Sequence, residues 1–530
     1  MIKIIVKVII LVGSLIILAS CSSVEKYNAQ ISKKHSPTEL KEDVDYAYEK
    51  LQKLHPNLYQ YISKEKLENN FENLKESIIK PLSSIEFFKK ISPIIASIGQ
   101  GHTAIYSPHK KQTKEEIKKK GKRGNMFNTL RFTTLNNKIY VDKGFGKDSL
   151  MLRGTELLKI EGENVEDLVA SYQNIGTGDG FIKNFIPEYT RKKIQIFYGL
   201  TNTLKDSLQL TLKNKDSVYT KYLYAFVKKK KKTEKKKDSL KVAKKVLTKI
   251  EKKIAKKKKK ERSEWNYNHG YDKFTKESVR NFEFLDNDSK KVAYMKIRGF
   301  HKYQYEDFYD DVFKQIDSAK VDNLVIDLRD NTGGRLAEIA YIYSYLTDKE
   351  HQFILPGKMT RANSWMYPTM HNKATVLQKS IRYMLFPVMK VVQAFKVKKI
   401  EGKPHFHFKS SKVQKPKEEH NYKGKVYVLI NAISFSASAV LSNKLQATKR
   451  AFFVGDETGG AYNSTVAGRF ALIILPNSKE ILRVGVMVLE TPHKTTPDGY
   501  GVKPDKYIPI TTLDKDEQLD WILEDISKSK

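Results

Sequence analysis

Between Val426 and Gly460 the chain reads VYVLINAISFSASAVLSNKLQATKRAFFVGDETGG, and this stretch constrains the fold more than any other. Val426 to Ile430 is a nearly continuous apolar run, the pattern of a strand buried on both faces of a sheet. Ser438 to Thr448 then carries helical spacing at Val440, Leu441 and Leu445. A strand that feeds a helix through Ser434-Phe435-Ser436-Ala437-Ser438 can hold a hydroxyl in the open beside the N–H groups of the emerging helix. That is the geometry of a nucleophilic serine. Serines also favour helix N-caps for the backbone bond alone, and the stretch by itself allows either reading.

A second unit of the same kind lies upstream. Leu324 to Leu328 reads as a buried strand, Arg329-Asp330-Asn331-Thr332-Gly333-Gly334 as a glycine loop, and Leu336, Ile339, Ala340 and Tyr343 as one face of a helix. Strand, loop and helix in this order predict a parallel sheet, and the glycines let backbone N–H groups approach a ligand. No Gly-Lys-Ser/Thr follows, so the loop is not a phosphate loop. A strand over Val292 to Ile297 and a helix from about Tyr305 to Ala319 precede it. Phe470 to Leu475 and Ile481 to Val488 form a hairpin, and a final helix occupies residues 513–530. Residues 350–423 are basic and irregular and read as an insertion or lid. Within them His405-Phe406-His407 could begin a metal site, but no third ligand is near in sequence.

The N-terminus is a targeting segment. Lys3 and Lys7 precede an apolar run from Val8 to Leu18 that ends in Leu18-Ala19-Ser20-Cys21. This ending resembles the lipobox of bacterial lipoproteins, which implies a signal peptide over 1–20, lipid on Cys21 and a place in the cell envelope on the exported side of a membrane. Cys21 is the only cysteine, so a lipidated chain has no thiol for disulfides, nucleophilic catalysis or zinc. The net charge of +37 would ordinarily raise nucleic acid as a partner, yet Lys228 to Arg262 alone holds twenty Lys or Arg against four acids. That run lacks interleaved aromatics, so nucleic acid is not expected. Anionic lipid headgroups are the candidate partner, with a merely solvated face as the alternative.

The rest of the 530 residues divides into about three domains. Residues 21–35 read as a tether. Residues 36–110 form a helical domain opened by the capping boxes Ser36 to Glu39 and Ser83 to Glu86, and it ends at Gly99-Gln100-Gly101-His102-Thr103. Residues 124–227 are strand-rich, with a turn at Asn136-Asn137, and residues 228–262 carry heptad spacing at Leu240, Ala243, Leu247, Ile250 and Ile254, a charged helical arm.

Taken together, DLRDNTGG at Asp327 to Gly334, SFSAS at Ser434 to Ser438, AFFVGDETGG at Ala451 to Gly460 and DGYGVKPD at Asp498 to Asp505 resemble, in this order, the catalytic domain of the carboxyl-terminal processing (tail-specific) serine peptidases and their tricorn-like relatives. The resemblance implies an α/β fold. Its parts are a ClpP/crotonase-like spiral catalytic domain over 263–512, an N-terminal helical domain and a PDZ-like module in which Arg153 to Gly162 leads into a helix. Protein or peptide substrates follow, recognised through their C-termini, with no metal or cofactor.

On the family motif Ser436 falls on the nucleophile. The processing branch supplies a lysine base downstream, at the place held here by Ala461, so the resemblance favours the tricorn-like branch, whose base is a histidine that His102 matches. Asp498 matches its acid, although an aspartate stands where those relatives have glutamate, and Gly101 replaces the serine before their histidine. The implied oxyanion donors are the N–H of Gly333 or Gly334 and that of Ala437. The same motifs would also suit a peptide-binding scaffold that keeps the fold without hydrolysis.

Overall fold

The structure, a computed structural model, describes residues 24–123, 126–203, 205–224, 227–228, 249–287, 290–301 and 304–528. Its centre is a six-stranded sheet in the order Arg280–Asn287, Lys290–Ile297, Asn323–Asp327, Lys425–Ile430, Phe452–Gly455 and Lys506–Tyr507, antiparallel at the first pairing and parallel thereafter. Both apolar runs singled out in sequence are neighbouring middle strands, in register from Asn323 opposite Lys425. Strand alternation sends Leu324, Ile326, Val426, Val428 and Ile430 to one face, against the helices Glu306–Ser318, Leu336–Ser344 and Ala437–Ala447. Val325, Tyr427 and Leu429 point the other way, onto Ile522 and Ile526 of the helix Glu517–Lys528. Burial on both faces explains why these strands read as continuous rather than alternating apolar runs.

A second sheet is built on the hairpin Ser464–Ile474 with Ile481–Glu490. The helices Pro37–Leu54, Lys64–Glu76 and Ser84–Ala96 pack on it, and both expected capping boxes are formed. Leu40, Phe71 and Phe87 share one core with Leu482, Val484 and Val486, so this helical segment and the hairpin form a single packing unit. The short strand Ala104–Tyr106 then pairs antiparallel with the hairpin's second strand.

A third sheet spans Leu130–Leu135, Lys138–Gly144, Glu156–Ile160, Ser207–Asn214 and Ser217–Tyr224, with the helix Val165–Gln173 against it. Asn136 and Asn137 both have positive φ (49° and 63°), the signature of the tight turn that matches strand twist.

Two expectations are corrected. The tether over 21–35 contains the helix Val24–Ser32, which buries Ile31 and is tied down where Asn28 exchanges side-chain hydrogen bonds with the backbone of Lys111. Residues 350–423 are not irregular. Gly357–Lys358, Lys403–Phe406 and Val397–Ile400 extend the second sheet, and the helices Val376–Met384 and Phe386–Lys396 lie between the first of these strands and the other two in the chain. The apolar patch from Ile381 to Phe395 within this basic segment belongs to a helical pair most of whose apolar side chains face away from the core. Of the charged arm, the helix Lys249–Asn268 is described, with Ile250 and Ile254 exposed, while Leu240, Ala243 and Leu247 lie outside the described residues.

The helix Leu336–Ser344 is fixed to the first strand by a fully buried pair. Arg280 Nε donates to Glu338 Oε1 at 2.6 Å, and Arg280 Nη2 to Glu338 Oε2 at 3.1 Å. Glu338→Ala would strand that guanidinium in the core, and the expected loss is about 3–5 kcal/mol, read from the denaturant midpoint. An unchanged midpoint would show that the pair does not hold this helix.

Candidate active site

The three serines of Ser434 to Ser438 have separate fates. Ser434 and Ser438 are fully buried and donate to the carbonyls of Leu328 (2.9 Å) and Asn331 (2.8 Å), so they stitch the two strand-loop-helix units together. Ser436 alone is left half-exposed, at the N-cap of the helix Ala437–Ala447, with φ 55° and ψ −119° and no capping hydrogen bond from its side chain. A non-glycine residue in that conformation is strained and persists because its neighbours fix it. Gly333 is one such neighbour: with φ +97°, a Cβ there would stand 2.7 Å from Ala437 N and 2.8 Å from Ser436 Cβ. The glycine loop thus presses against the serine turn as closely as backbone allows.

His102 reaches this serine from 334 residues upstream in sequence, and its Nε2 lies 2.8 Å from Ser436 Oγ. Phe435 and Phe470 flank the imidazole, with ring centroids 5.0 and 5.3 Å away. Burial, with the nearby Arg483 cation, lowers the ring's pKa to about 3, so it stays neutral at physiological pH and can accept a proton.

Asp498 is not brought to the ring. It is exposed, its Oδ2 accepts from Gln60 Nε2 at 2.9 Å, its Oδ1 accepts from Gly499 N at 2.7 Å, and no hydrogen bond joins it to His102 among the described residues. Gln60 Oε1 in turn accepts from Gln100 Nε2 at 3.0 Å, and the Gln100 carbonyl accepts from Thr103 N at 2.8 Å. Through these two glutamines Asp498 is linked to the histidine turn without meeting the ring.

A different carboxylate holds that turn. Asp179, buried, accepts from Gly101 N at 2.7 Å through Oδ1 and from Ala461 N at 3.4 Å through Oδ2. Thr177 Oγ1 donates to the Gly101 carbonyl at 3.1 Å, Gly180 N to the Gly99 carbonyl at 2.9 Å, and Phe181 N to the Gly499 carbonyl at 2.7 Å. One loop thus grips the histidine turn, the Asp498 loop and the segment after the nucleophile helix. Burial raises the Asp179 carboxyl to about 6, against the opposing effect of its backbone N–H donors. Sequence reasoning missed it because an aspartate in Thr177-Gly178-Asp179-Gly180 reads as an ordinary turn.

Of the implied oxyanion donors, Gly333 N–H is already engaged by Asn331 Oδ1 at 2.9 Å. No hydrogen bond from the N–H of Gly334 or Ala437 is present among the described residues. Ala461 is buried among Ile182, Phe185 and Phe435, an apolar setting in which an ammonium would be desolvated. Lys444, the buried lysine of the helix Ala437–Ala447, instead donates to the Gln352 carbonyl at 3.0 Å and faces His493 Nε2 at 3.2 Å. No group of three or more His, Cys, Asp or Glu placed to hold a metal ion occurs among the described residues, and His405 Nδ1 faces the Lys403 carbonyl.

Residues 291–508 match the model of peptidase family S41. The fold is shared with mature CPAF, at 14% identity over 90% of this chain and 93% of that one with a TM-score of 0.55. It is shared equally with mature CPAF complexed with lactacystin, at 13% identity over 93% and 98% of the two chains with a TM-score of 0.57. No curated protein matches the chain significantly in sequence. The family match supports a peptidase, and the structural likeness shows a shared fold.

Asp179→Ala would leave the Gly101 N–H buried without its acceptor and cut the link to Ala461. The expected cost is about 1–3 kcal/mol, read as a lowered denaturant midpoint. A midpoint equal to the parent's would show that the loop is held by other contacts.

Proposed function

We propose that this chain, which matches peptidase family S41 over residues 291–508, is a serine peptidase of the tricorn-like Ser/His type, acting on peptide bonds of protein or peptide substrates. The observation that carries the reading is the 2.8 Å approach of a neutral imidazole to a hydroxyl held at φ 55° on a strand-to-helix turn. Serine attack on an amide needs a base for the proton and donors for the oxyanion, and both are supplied. His102 Nε2 takes the proton as Ser436 Oγ bonds to the substrate carbonyl carbon. The negative oxygen is received by the N–H groups of Gly334 and Ala437. Collapse breaks the C–N bond, and the imidazolium gives its proton to the leaving amine. Water, deprotonated by the same imidazole, then releases the acyl group and restores Ser436.

Asp498 acts on this machine through Gln60 and Gln100, which support the histidine turn, and Asp179 fixes the turn's backbone from the other side. Both are positioning residues. The sheet of residues 130–224 is read as a PDZ-like module that offers the substrate chain end a docking strand. The Leu18-Ala19-Ser20-Cys21 ending supports export and a lipid anchor in a bacterial cell envelope.

A fluorophosphonate probe tests the assignment. Labelling and peptide hydrolysis are expected in the parent, abolished in Ser436→Ala and reduced by a factor of about 10³ or more in His102→Ala. Asp498→Asn, which keeps a side-chain acceptor for Gln60, should retain at least about a tenth of the activity. Persistent labelling in Ser436→Ala would remove the nucleophile, and an unreactive parent would make the chain a peptide-binding scaffold.

The pH profile has a defined sign. Only neutral His102 accepts the serine proton, and burial lowers its pKa, so the acid limb of kcat/KM belongs well below the ordinary imidazole value of about 6.5. A limb at or above that value would contradict the buried, neutral base.

A further inference from the structure

The helices Val376–Met384 and Phe386–Lys396 carry an apolar stripe turned outward. Leu377, Ile381, Met384, Val388, Val391 and Phe395 follow one another in steps of three and four, and all are exposed, Met384 at 78% and Phe395 at 75%. The pair is nonetheless attached firmly. Met389 packs inward on the core shared by the N-terminal helices and the hairpin, Arg382 Nη1 donates to the Asn372 carbonyl at 2.8 Å, and a formed capping box at Thr375 starts the first helix. An ordered helical pair that presents its apolar side to water marks a docking surface.

Charge decides the occupant. From His351 to Ile400 there are nine Lys or Arg and no acid. A second copy docked on this face would bring the same cations against it, and the chain's own Lys-rich stretch carries the same sign. An anionic bilayer complements both features: acyl chains receive the stripe and headgroups receive the lysines. The path of the chain agrees. The helix Val24–Ser32 begins three residues after Cys21, and its Tyr27 ring lies under Lys111 Nζ at 3.2 Å and near Lys373 Nζ at 5.8 Å, two residues before Thr375. The helix Val24–Ser32 thus lies close to the segment that leads into the stripe.

We propose that residues 376–396 form an interfacial membrane-docking surface, which lies in an anionic phospholipid bilayer and fixes the orientation of the peptidase on it. The inference rests on the envelope reading only for where such a bilayer is met, and a chain without lipid tests it separately. In residues 21–530 carrying Cys21→Ser, a single cysteine at Phe395→Cys is labelled with an environment-sensitive nitrobenzoxadiazole dye and mixed with vesicles of phosphatidylglycerol and phosphatidylcholine. A several-fold rise and blue shift of emission is expected at 395 and none at Ile254→Cys on the Lys-rich helix. Leu377→Ser/Val388→Ser/Phe395→Ser should weaken vesicle binding by at least about ten-fold while its circular-dichroism melt matches the parent's. An unchanged emission at 395, or a shift at 254 instead, overturns the proposal. So does a dimer in light scattering that the triple variant dissociates, which would make the stripe a contact between copies.

Discussion

The approach of His102 to Ser436 depends on one short pairing, Ala104–Tyr106 on the strand Ile481–Glu490. The pairing fixes the chain on one side of the imidazole, and the Asp179 contact with Gly101 N–H fixes it on the other. A histidine borne on a free loop would pay orientational entropy each time it met the serine. Here the ring is oriented by backbone bonds one and two residues away and by the rings of Phe435 and Phe470. The serine side is equally over-determined. Ser434 and Ser438 anchor the turn to the glycine loop, and Gly333 fills the space behind Ser436, so strain at one residue is distributed over two strand-loop-helix units.

The departures from the family pattern acquire physical reasons. A Cβ on Gly101 would lie 2.5 Å from the Phe435 ring, so a serine before the histidine has no room while that phenylalanine stacks there. Phe435 also stacks on Phe185, with centroids 4.8 Å apart, and this aromatic pair encloses Ala461. The apolar packing around Ala461 and the crowding that demands glycine before His102 therefore share one residue, Phe435. The shorter acid at 498 belongs to a different arrangement, in which the carboxylate addresses a glutamine instead of the ring.

Local signals made much of this readable. The two buried strands are continuous apolar runs, the capping boxes carry their partners three residues away, and Asn136-Asn137 specifies its own turn. Which of three serines stands free was settled by hydroxyl partners on a loop more than a hundred residues upstream, and the motif alone pointed to Ser436 only through resemblance. Asp179 and Gln60 were unreadable because their partners at this site lie far along the chain, with no periodicity to mark them. The helices after Thr375 were concealed for another reason: a segment whose apolar face stays outside contributes nothing to the core pattern by which elements are recognised.

The loop Thr177 to Phe181 has a consequence in time as well as in space. It contacts the histidine turn, the end of the nucleophile segment and the backbone of Gly499, and a Cβ on Gly180 would stand 2.3 Å from the Gly499 carbonyl oxygen. These parts are made far apart during synthesis, His102 first, Ser436 334 residues later and Gly499 later still. A growing chain thus emerges with His102 long before Ser436, and closure waits for contacts of high sequence separation. The pairing of His102 with Ser436 is complete only when these distant segments have met.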